Sequence, residues 1–215
     1  MTEEATNRSQ PPSRGRPRSF DREAALDAAV LVFWEKGYDG TTLTDLTAAM
    51  GINRPSLYAT YGNKRDLFIL AIDRYAATHG SRAFSALRLE TDNRTAVQTF
   101  FEASIDCALA AGIPRGCLIN TVATDAAGSD PELRDKLSHM FEQTDAAIAK
   151  RMAANATRDM QRGHDAKMLA SMAHSVTHSI MTRARTGATR KELTELADAF
   201  TSIMFPPPQS PTTHA

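Results

Sequence analysis

The sequence predicts an all-α protein of about nine helices. Apolar residues recur every three or four positions almost throughout, and runs of Val, Ile, Thr and aromatics with period-two alternation are missing. Gly, Pro, Asn, Asp and Thr fall where helices of that period would begin or end.

Each element can be placed in order. The polar, proline-containing stretch 1–18 reads as a disordered basic arm. The first helix runs from Asp21 to Lys36, with Leu26, Ala29, Val30, Phe33 and Trp34 as its apolar face and Gly37 as its cap. A second begins after Thr42, which with Asp45 makes a capping-box-like start, and stops at Gly51. A third starts at Asn53, with Pro55 in its first turn, where a missing N–H costs nothing. A fourth opens at Lys64 and continues past Tyr75 toward Leu89.

Further on, Arg94 to Ala111 turns Val97, Phe100, Phe101, Ile105 and Leu109 inward, and a shorter helix covers Gly116 to Ala127. Asp130-Pro131-Glu132 starts a long helix carrying Leu133, Leu137, Met140, Phe141 and Ile148. Asp165 to Arg185 and Lys191 to Phe205 close the ordered chain, and 206–215 reads as a disordered tail. The division is a first helical unit over 19–66 and a larger one over 67–205.

Composition bounds the function. The chain has 215 residues, 42% of them hydrophobic, enough for a buried core. No apolar run approaches the roughly 18 residues of a membrane span, and no apolar segment resembling a secretory signal opens the sequence, so the expected location is the cytoplasm. Two cysteines, Cys107 and Cys117, are too few for a disulfide framework. Lys and Arg number 25 against 25 Asp and Glu, so a uniformly basic nucleic-acid coat is excluded. A case for DNA must rest on where the charges stand.

Thr41 to Phe68 carries that case. Leu43, Leu46 and Ala49 lie on one face of the second helix, and Ile52 and Leu57 meet them from the turn and the third helix. Ala49 is small enough for close approach, and Gly51 suits the left-handed turn. This is helix-turn-helix spacing, in which the second of the pair enters the DNA major groove. Arg54, Ser56, Ala59 and Thr60 leave that helix on the side away from Leu57. An arginine there can make two hydrogen bonds to guanine O6 and N7. Thr42 stands among exposed backbone N–H groups that can hold a phosphate, Lys64 would reach another, and Tyr58 and Tyr61 offer hydroxyls to the same backbone. Tyr61 has the core as its alternative.

Asp21 to Phe68 resembles the DNA-binding domain of the TetR family of transcriptional regulators, in the segments FWEKGYDGTTL, AAMGI, NRPSLYATYGNK and DLF. The resemblance implies a homodimer on a partly palindromic double-stranded DNA operator, released when a small-molecule effector enters the C-terminal domain. It places Arg54, Ser56, Tyr58, Ala59 and Thr60 at the operator, with Thr42 and Lys64 on phosphates. Pro55 and Gly62 depart from the commonest pattern, which leaves the base preference open. Gly15-Arg16-Pro17, flanked by Arg14 and Arg18, resembles the core of an AT-hook, whose arginines enter narrow A·T-rich minor grooves.

The C-terminal half offers several candidates. Cys117 follows Gly116 at a helix start beside Arg115, where a helix dipole lowers a thiol's pKa, making it a candidate sensor of oxidants or electrophiles. The alternative is a small buried hydrophobe, as expected for Cys107. His174 and His178 share a helical face at metal-binding spacing, but a third ligand would have to come from His139, His164 or a cysteine, so no metal and no cofactor is expected. Methionines suit either a pocket for apolar ligands or plain core. The last two helices carry the stripes of a four-helix dimer interface. No HExxH, GxSxG, phosphate-binding glycine loop or di-metal Glu/His set occurs, so an enzyme is not expected. The competing expectation is an architectural protein that binds DNA through the arm with little regard to sequence.

Overall fold

The computed structural model describes residues 20–80, 83, 85, 87, 92–154 and 165–205. Among the described residues there are nine α-helices, two short π-wound turns and no β-strand. Arg14, Arg16, Arg18, Met160, His164 and the segment 206–215 lie outside the described residues.

Helix α1 (Arg22–Gly40) is capped by the Asp21 carboxylate, which accepts from the N–H groups of Glu23 and Ala24. It buries Ala25, Ala29, Val30, Phe33 and Trp34 against α4 (Lys64–Tyr75). Gly37, at φ 76°, breaks α1 where the sequence ends it, yet one more turn follows before Thr41. The Thr41 hydroxyl closes that break by donating to the Gly37 carbonyl at 2.6 Å.

Helices α2 (Leu43–Met50) and α3 (Arg54–Tyr61) are joined through Gly51, whose φ of 64° is the left-handed turn that the sequence requires. The buried residues of α2 are Leu46 and Met50. Ala49, expected to permit close helix approach, is exposed, and Met50, four residues from Leu46, takes the buried place instead. Asn53 caps α3 by accepting from Ser56 N–H at 2.9 Å, and Asn63 with Asp66 forms the capping box of α4.

The expected domain boundary falls inside α4, so that helix belongs to both halves. It continues through a π turn at Ala76–Gly80. Helix α5 (Asn93–Ala108) ends three residues before the sequence expectation, because Gly112 and Gly116 both take positive φ and Pro114 cannot extend a helix. A π turn (Ile119–Ala123) and a single turn, α6 (Thr124–Ala126), lead to the long α7 (Pro131–Ala154). Helices α8 (Ala166–Arg185) and α9 (Arg190–Met204) complete the bundle. Helix α8 packs on α5, α7 and α9, and α9 also packs on α5. No helix among the described residues is long and apolar enough to cross a membrane.

The two halves are joined by charge as well as packing. Arg185 donates to the Glu35 carbonyl at 3.0 Å, Lys136 pairs with Asp73 at 2.6 Å, and Arg65 pairs with Asp130 and Glu132.

Candidate nucleic-acid interface

Helix α3 is anchored by one face and bare on the other. Leu57 is fully buried, while Arg54, Tyr58 and Ala59 are exposed and Ser56 and Thr60 are half-buried. The four-residue spacing of Leu57 and Tyr61 defines the anchored stripe and aims the remaining side chains outward. Arg54 does not hang free. Its Nη2 donates to the Thr44 hydroxyl at 3.1 Å, which ties the guanidinium to the preceding helix. Thr44 escaped the sequence reading because nothing in the motif marks it. Its signal was a position one residue inside the α2 start, facing the α3 start.

Tyr61 must be removed from the DNA-facing set. It is 5% exposed, and its hydroxyl donates to the Arg22 carbonyl at 2.7 Å, so it locks α3 onto α1. The arginine it touches lies with its guanidinium 5.8 Å from the Tyr61 ring and donates to the Thr60 carbonyl at 3.3 Å.

At the α2 N-terminus, the Thr42 hydroxyl accepts from Asp45 N–H at 3.1 Å and donates to the Asp45 carboxylate at 2.8 Å. The hydroxyl proton is therefore engaged, and what Thr42 leaves for a phosphate is its position beside the first backbone N–H groups of the helix. The Asp45 charge would oppose an anion there, but Lys36 stands on it at 2.6 Å. Hydrogen bonds from Lys36 and Thr42 hold the Asp45 carboxyl down at about 2. Lys64, at the head of α4, sits 4.6 Å from the Tyr38 ring, which steadies the ammonium at the edge of the same face.

Behind this face lies a cavity of about 370 Å³ among α4, α5, α7, α8 and the Ile119–Ala123 turn, lined by Tyr75, Phe100, Cys117, Phe141, His174 and Met181 among others. Cys117 is at the cavity wall, where the lowered thiol pKa of the sensor reading does not hold and its alternative, a small buried hydrophobe, fits. It is 8% exposed, and burial pushes the thiol up rather than down. The backbone around it explains the failure: the following turn is π-wound and buried, and the Arg115 guanidinium turns away to the Ala188 carbonyl. Both cysteines are free thiols.

His174 hydrogen-bonds through Nδ1 to Asp145 at 2.6 Å, and the His178 ring packs 5.2 Å from it. Burial, then the neighbouring His174, pulls His178 down to about 4. Among the described residues, no three His, Cys, Asp or Glu side chains are grouped to hold a metal ion. The methionines divide. Met140 and Met181 line the cavity, Met152 and Met204 are core, and Met168 and Met172 lie on the α8 surface at 46% and 41% exposure. Ile203 on α9 is 74% exposed.

Comparison with known proteins agrees with this geometry. Residues 25–71 match the family model of bacterial regulatory proteins, tetR family, and residues 94–200 match that of the tetracyclin repressor-like C-terminal domain. The chain is 31% identical over 190 residues to the HTH-type transcriptional repressor ComR of Escherichia coli (strain K12), covering 86% of this chain and 89% of the relative. It is also 31% identical over 134 residues to the HTH-type transcriptional repressor BdcR of the same organism, covering 62% of this chain and 69% of the relative. Among solved structures it resembles a cysteine mutant of the TetR family regulator CifR complexed with 26bp double-strand operator DNA. That likeness has a TM-score of 0.80 at 30% identity, over 86% of this chain and 98% of the other. The fold also matches AibR in complex with isovaleryl coenzyme A and operator DNA, with a TM-score of 0.67 at 16% identity, over 87% and 100% of the two chains.

Proposed function

This chain belongs to the TetR family of bacterial transcriptional regulators, and on that premise we propose that it is a repressor that binds a palindromic operator as a homodimer and leaves it when a small molecule fills the cavity behind α4. The observation that carries the reading is the split character of α3: Leu57 and Tyr61 fix it to the domain, and Arg54, Ser56, Tyr58, Ala59 and Thr60 are left for the operator. Thr42 and Lys64 flank that helix as phosphate contacts.

The dimer is formed through α8 and α9. Met168, Met172 and Ile203 are large apolar side chains turned to solvent, with Leu196 and Phe200 half-buried beside Ile203. Such a stripe is satisfied by the same stripe of a second copy. Two recognition helices must then stand roughly 34–36 Å apart to reach successive major-groove faces. A ligand that favours another separation lowers operator affinity by its preference for that state. A small molecule, and not thiol oxidation, is the effector favoured by a buried Cys117 whose pKa is raised.

Arg14, Arg16 and Arg18 would extend the contact into an adjacent A·T-rich minor groove. An architectural, sequence-tolerant role is disfavoured by the large cavity-bearing half. Footprinting on DNA flanking the protein's own gene tests the reading. A discrete symmetric protected site is expected, with weaker binding and a flatter salt dependence after deletion of Met1 to Arg18. Uniform protection along the duplex would contradict it.

A further inference from the structure

Resting on the reading of the central cavity as the effector site, we propose that its ligand is a compact, uncharged aromatic molecule bearing a hydrogen-bond donor such as a hydroxyl, and that Nε2 of His174 receives that donor. The cavity wall excludes charge. Among the described residues that line it there is no Lys, Arg, Asp or Glu, so an ionised ligand would lose its water without gaining a counter-charge. The wall is also built for a flat ring. Tyr75 stacks on His79 with centroids 5.2 Å apart at 26°, and Phe141 meets His174 nearly edge-on at 5.4 Å. A volume of about 370 Å³ lies near the lower end of the roughly 300–1,000 Å³ range of ligand sites, suiting one or two rings.

Beside the Asn120 and Gln143 amides, the Ser and Thr hydroxyls of the wall present acceptors. Ser104 donates its proton to the Phe100 carbonyl at 2.7 Å, Thr144 to Met140 at 3.0 Å, and Thr177 to Ala173 at 3.0 Å. Each hydroxyl turns only lone pairs toward other partners. His174 is set in the same sense. The Asp145 carboxylate, 2.6 Å from Nδ1, belongs to the wall of a separate surface groove and not to that of the cavity. In the neutral ring, a proton on Nδ1 facing that carboxylate leaves Nε2 as a lone-pair acceptor for a ligand donor. A site of matched acceptors discriminates strongly against an isostere that lacks the donor, because the buried acceptor is then unpaired.

The test is calorimetric titration of the full chain with three probes of one shape: 2-naphthol, 2-methoxynaphthalene and 2-naphthoate. The expected result is roughly ten-fold or greater preference for 2-naphthol over both others. His174→Phe should erase the preference while retaining 2-methoxynaphthalene affinity, which also shows that the variant is folded. His174→Gln, which keeps an acceptor, should restore part of it. Equal or tighter binding of 2-naphthoate, no preference for the hydroxyl, a preference surviving in His174→Phe, or failure of all three probes to bind overturns the proposal. Repeating the titration with bound operator separates the two readings. Selective 2-naphthol binding that leaves DNA affinity unchanged supports the ligand chemistry and counts against the cavity as effector site.

Discussion

Arg65, in the first turn of α4, and Asp130, the residue that heads α7, form a two-point ion pair across the two halves of the molecule. Nε lies 2.5 Å from Oδ2 and Nη2 lies 3.0 Å from Oδ1, and the same Nη2 reaches Glu132 at 2.7 Å. Asp130 also accepts from Leu133 N–H at 3.1 Å, so the carboxylate that caps α7 is the one that grips α4. One side of the pair adjoins Lys64 at the head of α4. The other begins the helix whose middle, at Met140, Phe141 and Thr144, walls the cavity. The pair therefore ties the helix that walls the cavity to the first turn of α4.

The acid limb of stability should report this pair. The Arg65 guanidinium, then the Leu133 N–H, holds the Asp130 carboxyl at about 2. A depressed folded-state pKa contributes stability above the unfolded value near 3.9, lost as pH falls toward 2. Asp130→Asn should lower the melting temperature at pH 7, and the gap to the native chain should close between roughly pH 4 and pH 2. Thermal melts followed by circular dichroism across that range check it; a gap independent of pH would exclude the carboxylate as its cause.

Arg54 and Lys64 should fail in different ways. Arg54→Ala is expected to cost about 1–3 kcal/mol of operator binding and to relax preference at a single base pair per half-site. Lys64→Ala should weaken binding nearly equally on every sequence and reduce the salt slope by about one contact per subunit. Fluorescence anisotropy against the operator and its single-base variants, at several salt concentrations, distinguishes the two.

Gly116 and Gly112 make a matched pair of substitutions. Both have positive φ, 87° and 80°. A Cβ at Gly116 would stand 2.8 Å from the Met181 carbonyl oxygen, whereas one at Gly112 meets nothing within 4 Å. Gly112→Ala should cost about 1 kcal/mol, the left-handed penalty alone. Gly116→Ala should cost clearly more, because the loop must lift from α8 at the cavity wall. Urea unfolding of both variants measures the difference.

His178 predicts a second pH window. Its folded pKa, pulled to about 4 by burial and by His174, with Asp145 acting the other way, lies below the ordinary 6.5. The unfolded chain therefore takes up the proton first, and stability falls as pH drops from about 6.5 to 4. With allowance for partial solvent screening the loss is roughly 1–2 kcal/mol. His178→Leu should flatten that part of the profile in urea unfolding at stepped pH.

The helices were legible because their signals are local. Thr42 and Asn53 cap the ends that their side chains mark, and Gly51 turns where an αL residue is needed. The exposed side of α3 was legible for the same reason, since its period is that of one helix. What was not legible depends on partners distant in sequence. Tyr61 goes inward because the Arg22 carbonyl waits for its hydroxyl, and Arg65 finds its carboxylates on α7. Cys117 has the neighbours of a reactive thiol in sequence but not in space. The His174–Asp145 pair, assembled from α8 and α7, carries no sequence spacing at all.

Selection of bound duplexes from a random DNA pool by the full chain tests the central claim most directly. The account predicts enrichment of an inverted repeat whose half-site centres are one helical turn, or a whole multiple of it, apart, roughly 34–36 Å per turn. Arg54→Ala should lose the enrichment at one symmetric pair of positions. Recovery of no motif, or of A·T-rich sequence without two-fold symmetry, would contradict the reading of this chain as a dimeric operator-binding regulator.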